Sequence, residues 1–237
     1  MQGGTRIDAV GESLYRISTP VPPDIIAGGF SFNQYLLVDD HPLLFHTGLR
    51  SQFSDVRRAI ESVMSIRELR YIGFCHVEAD ECGALNQFLQ AAPLARPLCG
   101  QIAQMTSIGD VADRPAHVLA NGETLELGRH TVEWIDAPHV PHGWENGFLF
   151  ERTRRILFCG DLFTQGGSEH LPVSDDILET SEQMRAGMDY FAHGKNTRSL
   201  LESLAALEPA TLACMHGSAY QGDGGDLLRQ LADRLDG

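Results

Sequence analysis

The chain has 237 residues, 43% of them hydrophobic, and its 18 basic against 32 acidic side chains give a formal net charge of −14. That length and apolar content suit a large α/β core and argue against a disordered chain. The acidity argues against nucleic acid or an anionic membrane as the main partner, because both select basic surfaces.

The first residues, "MQGGTRIDAVGESLYRI", lack the basic and continuous apolar regions of a signal peptide. No apolar run reaches membrane-spanning length. The cysteines (Cys75, Cys82, Cys99, Cys159 and Cys214) are odd in number and show no framework spacing, so reduced thiols in a cytoplasm are expected. Strands are predicted at "SLYRI" and "FSFNQYLLVDD", and a short buried strand at "HPLLFHTG". In "FSDVRRAIESVMSI" the apolar residues Val56, Ile60, Val63 and Met64 make a helical face, with Ser54 as N-cap. "LRYIGF" reads as a buried strand leading to His76, and "ECGALNQFLQAA" as a helix.

The stretch "AHVLANGETLELGRHTVEWIDAP" carries an Asn-Gly turn between alternating residues and predicts antiparallel strands. "GFLFERTRRILFCGD" predicts a hairpin about its charged turn. Helices are predicted in "DILETSEQMRAGMDYFA", "NTRSLLESLAALEP" and the terminal "DLLRQLADRLDG", with a last buried strand in "ATLACMHG". Two groups of strands, each followed by helices, suit an α/β fold in which two sheets pack between outer helices, as one domain over residues 1–237.

Four motifs stand where strands give way to loops: His76-x-Glu78-x-Asp80-Glu81, then His139 and His142 in "APHVPHGWEN", Asp161 in "LFCGDLF" and His216 in "ACMHGS". Catalytic groups of open α/β sheets gather at one edge of the strands. Imidazoles and carboxylates projected from several rigid elements are what a metal site needs. A mixed N/O set with a carboxylate able to bridge favours iron or manganese over zinc, at the ~3.5–4 Å spacing of two-metal sites. Each residue alone has a plainer reading: a hydrogen-bonded His, a turn-forming Asp, a helix-start Glu81. The case rests on the set. Cys75 reads as a buried structural thiol, Phe30 and Phe32 as core residues or apolar walls, Trp144 as a candidate apolar wall, and His46 as a core residue or a group that orients a ligand.

The order and spacing of these motifs resemble the metallo-β-lactamase superfamily, from "FSFNQYLLVDD" to "CMHGS". Hydrolases of that superfamily carry HxHxDH in the first loop. Glu78 in the second position instead resembles the flavodiiron and oxygen-binding di-iron proteins. The resemblance implies an αββα sandwich and two iron ions, with zinc or manganese as alternatives. One iron would take His76, Glu78 and His142, the other Asp80 and His216, with Asp161 bridging. These six residues are also the catalytic set, with Glu81 and His139 as further candidates; Glu81 stands where relatives usually keep a His. The implied activity is binding or reduction of dioxygen, with nitric oxide as another diatomic ligand. No flavodoxin-like FMN domain is read in this chain, so an external redox partner is expected, and the family implies a homodimer. An oxygen sensor without turnover and a zinc-dependent hydrolase of the same fold are the alternatives.

Overall fold

The computed structural model describes residues 4–236, in which two sheets face each other and helices cover both outer faces. The first sheet runs in the order β1 (Arg6–Gly11), β2 (Leu14–Val21), β3 (Phe30–Leu37), β4 (Leu43–Phe45), β5 (Tyr71–Gly73), β6 (Arg96–Gly100) and β7 (His117–Leu119). Its pairs are antiparallel as far as β4 and parallel beyond it. The second sheet contains β8 (Thr124–Glu126), β9 (Thr131–Asp136), β10 (Gly147–Glu151), β11 (Ile156–Phe158), β12 (Thr211–Ala213) and β13 (Tyr220–Gln221) in the order β13-β12-β11-β10-β9-β8. Only β11 and β12 are parallel within it.

Side-chain alternation along each strand divides the apolar residues among three layers. Tyr35, Leu37, Leu43, Phe45, Trp134, Leu149 and Phe158 fill the space between the sheets. The intervening Leu36 and Leu44 face outward with Ile72, under α1 (Phe53–Glu61), α2 (Ala79–Cys82) and α3 (Leu85–Ala91). On the other side Phe148, Phe150 and Leu157 meet Leu201, Leu204, Leu228 and Leu231 from the helices there. A helical run of α4 (Gln101–Ala103), a π-helical turn (Gln104–Ile108) and α5 (Gly109–Val111) follows β6. The second half adds α6 (Leu178–Gly187), α7 (Thr197–Ala205) and α8 (Gly224–Asp236). The expected end of the terminal helix at Gly237 lies outside the described residues.

Several local expectations need correction. The stretch 116–138 is not one antiparallel unit. Its first strand, β7, pairs in parallel with β6 in the first sheet, and only β8 and β9 form a hairpin, in the second. The Asn-Gly turn carries the chain between sheets: the Gly122 N–H donates to the Trp134 carbonyl and Asn121 accepts from the Asp136 N–H. Ser54 is not an N-cap. A 3₁₀ turn at Arg50–Gln52 leads directly into α1, whose N-terminal flanking residue, Gln52, already has near-helical backbone angles. β1, β6 and the run from α4 to α5 lacked strong enough periodicity to be read from the sequence. No helix among the described residues is long and apolar enough to cross a membrane.

Candidate metal centre

Each chemical motif follows a strand. His76 comes after β5, His142 lies between β9 and β10, Asp161 follows β11 and His216 follows β12. The sandwich therefore brings both sheets' loops to one edge. Asp161 is the hub: its Oδ2 is 3.1 Å from His142 Nε2 and 3.6 Å from His76 Nε2, and its Oδ1 is 3.2 Å from His216 Nε2. Glu78 Oε1 lies 3.4 Å from His76 Nε2 and 3.7 Å from His142 Nε2. Asp80 Oδ2 lies 3.6 Å from His216 Nε2. His76, His142 and Asp161 could together hold an ion, as could His76, Glu78 and Glu81. His139 contributes no atom to this set; it is exposed, on backbone with φ of 68°.

The far side of each imidazole is tied down. His142 Nδ1 is 2.9 Å from the Tyr190 carbonyl and His216 Nδ1 is 2.8 Å from the Ser31 carbonyl. A carbonyl only accepts, so these Nδ1 atoms carry the proton and each Nε2 turns its lone pair to the centre. His76 Nδ1 rests 3.0 Å from Cys75 Sγ, which is itself 3.2 Å from His46 Nε2. His46 thus reaches His76 through Cys75 rather than touching a central group itself. Burial pushes His46 down to about 3, so it stays neutral.

Long-range hydrogen bonds hold the loops. Asn33 Nδ2 donates to the carbonyls of Cys214 and Gly217, Tyr35 Oη to that of Cys214, and Arg16 to that of Gly217. Strands β2 and β3 of one sheet therefore fix the His216 loop of the other. The Val77 N–H donates to Glu145 and the Gly147 N–H to the Cys75 carbonyl, joining the first loop to the His142 loop.

The donor chemistry fits a metal pair. His76 Nε2, Asp161 Oδ1 and both Glu81 carboxylate oxygens are buried with no hydrogen-bond partner. Groups of that kind are costly unless a cation or proton meets them. Burial works to raise Asp161, but the His142, His216 and His76 imidazoles close around it hold it well below the usual carboxylate range. The Asp161 carboxylate beside it in turn raises His142. It raises His216 too, against the opposing effect of that ring's burial. Burial, then the charges of Asp161 and Asp80, push Glu81 far up. This field draws in positive charge.

Phe30 and Phe32 flank His216, with ring centroids 4.3 and 5.5 Å away. They line an open, largely apolar cavity of about 290 Å³ with Ile26, Leu49, Met184 and Met188, and Asp80 also contributes to its wall. Trp144 does not belong to this wall. It is exposed and borders a separate small cavity with Gly100 and Ile102. Sequence reasoning missed the contacts of Cys75 with two imidazoles and the supporting roles of Ser31, Asn33, Tyr190 and Glu145. Cys75 could have been flagged by its place beside His76; the others had no local signal.

Residues 30–217 match the family described as ODP family beta lactamase. The chain is 29% identical over 206 residues to the rubredoxin-oxygen oxidoreductase of Megalodesulfovibrio gigas, covering 82% of this chain and 50% of that protein. It is 24% identical over 221 residues to the nitric oxide reductase of Moorella thermoacetica, covering 88% of this chain and 54% of that one. A solved fragment, residues 1–254, of putative diflavin flavoprotein A 5 from Nostoc sp. superposes with a TM-score of 0.85 at 16% identity, over 98% of this chain and 96% of the fragment. The fold is the metallo-β-lactamase-like αββα sandwich of flavodiiron cores. The chain spans about half the length of these two curated relatives.

Proposed function

The chain belongs to the ODP beta-lactamase family, and from that premise we propose that it is a non-haem di-iron protein that binds or reduces dioxygen, with nitric oxide as a second diatomic ligand. The observation that carries this reading is the meeting of three imidazole Nε2 atoms with Glu78, Asp80 and Asp161 at one sheet edge, with a carboxylate at position 78. A mixed N/O donor set of this kind suits iron. His76, Glu78 and His142 would hold one ion, Asp80 and His216 the other, and Asp161 would bridge them. When bound, the ions would supply electrons and open coordination positions for the diatomic ligand. The chain's own residues do the rest. The Tyr190 and Ser31 carbonyls keep His142 and His216 in the ligating tautomer. Phe30 and Phe32 give His216 an apolar flank. The apolar cavity beside Asp80 gives an external redox partner an approach to the pair. The relatives named for oxygen and nitric oxide reduction support the substrate class. We read the 237 residues as one domain, working in the cytoplasm as a homodimer.

Metal analysis of anaerobically purified protein, with visible spectra before and after exposure to oxygen, tests the reading. Two irons per chain and a spectral change on oxygenation are expected. Two zincs with hydrolytic turnover, and no iron, would overturn it. Stopped-flow mixing with oxygen and a reductant then reads the reaction: multiple turnover marks a reductase, a single stoichiometric oxidation a binder.

A further inference from the structure

Glu81 is the side chain the six-residue set does not use. Its helix, α2, begins at Ala79, so Glu81 stands in the first turn, where an acid commonly accepts backbone N–H bonds. It accepts none. The helix runs against Thr47, whose N–H bonds the Glu81 carbonyl, and the side chain is turned into the protein. The carboxylate is 1% exposed, and neither oxygen has a hydrogen-bond partner. Oε2 is 4.0 Å from His76 Nε2, and Glu81 offers an oxygen within 4.8 Å of ligand atoms of both His76 and Glu78. On its other side lie His46 and Cys75, at similar range.

An unpartnered buried carboxylate is among the most costly groups a fold can carry, and a proton or a cation is what relieves it. We propose that Glu81 is a further ligand of the metal pair, entering from its buried side. This rests on the di-iron reading above and extends it. The consequence is electrostatic. Glu78, Asp80, Glu81 and Asp161 are four carboxylates, enough to neutralise two divalent ions. Added negative charge at a buried site favours the more highly charged state of the metals. Glu81 therefore makes the pair easier to oxidise and harder to reduce than a neutral donor at this position would.

Two variants of the full chain test this, with ferrous iron as the probe. Glu81→Gln removes the charge and keeps the shape. Without metal it should melt no lower than the parent, because the amide replaces a buried carboxyl that has no hydrogen-bond partner. With iron it should gain less thermal stability, hold one ion at least tenfold more weakly against a chelator, and show a higher midpoint potential. Glu81→His keeps a donor without the charge. It should retain both irons and still show the raised potential. Parent protein that takes up no iron would defeat the di-iron reading itself. Parent protein with two irons, beside a Glu81→Gln protein of equal affinity and potential, would defeat only the Glu81 assignment. So would a metal-free Glu81→Gln protein that melts lower, since that marks a carboxylate serving His46 or Cys75 as a structural partner.

Discussion

Asp161 faces the Nε2 atoms of three histidines within 3.6 Å, and no neutral side chain could replace that charge. Asp161→Asn should lose at least one metal per chain by elemental analysis; full occupancy of both sites would refute its bridging role. Cys75 acts one step back. It contacts His76 Nδ1 and His46 Nε2 while fully buried, so its truncation leaves two ring nitrogens without their partner. Cys75→Ala should weaken iron retention by about 10- to 100-fold in chelator competition, the usual cost of losing a group that orients a metal-binding histidine. Cys99→Ala is the control. That thiol is equally buried, but in the helix-facing layer among residues such as Ala103, so it should change stability and leave iron retention intact.

At the level of elements, the loops that carry the chemistry depend on backbone that only glycine adopts easily. Gly217, next to His216, has φ of +91°, and a Cβ there would stand 2.4 Å from the Gln165 side chain. Gly160, before Asp161, has φ of +48°, and a Cβ there would meet Cys75 Sγ at 2.7 Å. Gly217→Ala combines strain with a clash and should cost roughly 2–4 kcal/mol in chemical denaturation, with loss of the metal that His216 would hold. Gly122→Ala separates the two effects. Its φ is +77° but nothing lies within 4 Å of the added carbon, so about 1 kcal/mol is expected and no change in metal content.

Across the whole molecule the two sheets are joined away from the Asp161 edge by Asp39. Its side chain is fully buried in the connection between β3 and β4. It accepts the N–H groups of Arg129 and His130 and lies 2.7 Å from His130 Nδ1, in the turn between β8 and β9. Burial alone would raise this carboxyl, but those hydrogen bonds bring it down to about 2. A carboxyl depressed in the folded state adds stability that is complete above its unfolded value near 4 and lost as pH falls towards 2. The contribution is about 2 kcal/mol. Urea midpoints measured from pH 6 down to pH 2 should fall across that window in the parent. Asp39→Asn should start lower and show a flatter fall; an unchanged pH profile would remove Asp39 from this role.

The sequence by itself determined the layered class and its chemical vocabulary. Apolar runs about a charged turn such as "GFLFERTRRILFCGD" specify a strand, a turn and a strand locally, because strand and turn chemistry act over a few residues. His76, Glu78, Asp80, His142, Asp161 and His216 stood out because the four motifs that carry them each follow an apolar run and keep the order and spacing of a known family. Tertiary structure alone decided that β7 leaves its Asn-Gly neighbour for the first sheet, since β6 offers it a parallel partner that only the folded chain supplies. It alone carried His139 to the surface, placed Trp144 by another cavity, and turned Glu81 inward instead of onto its helix end. Those outcomes depend on partners far away in sequence, such as Ser31 against His216, 185 residues apart. A local reading names the groups that can do chemistry; the packing of one sheet on the other decides which of them meet.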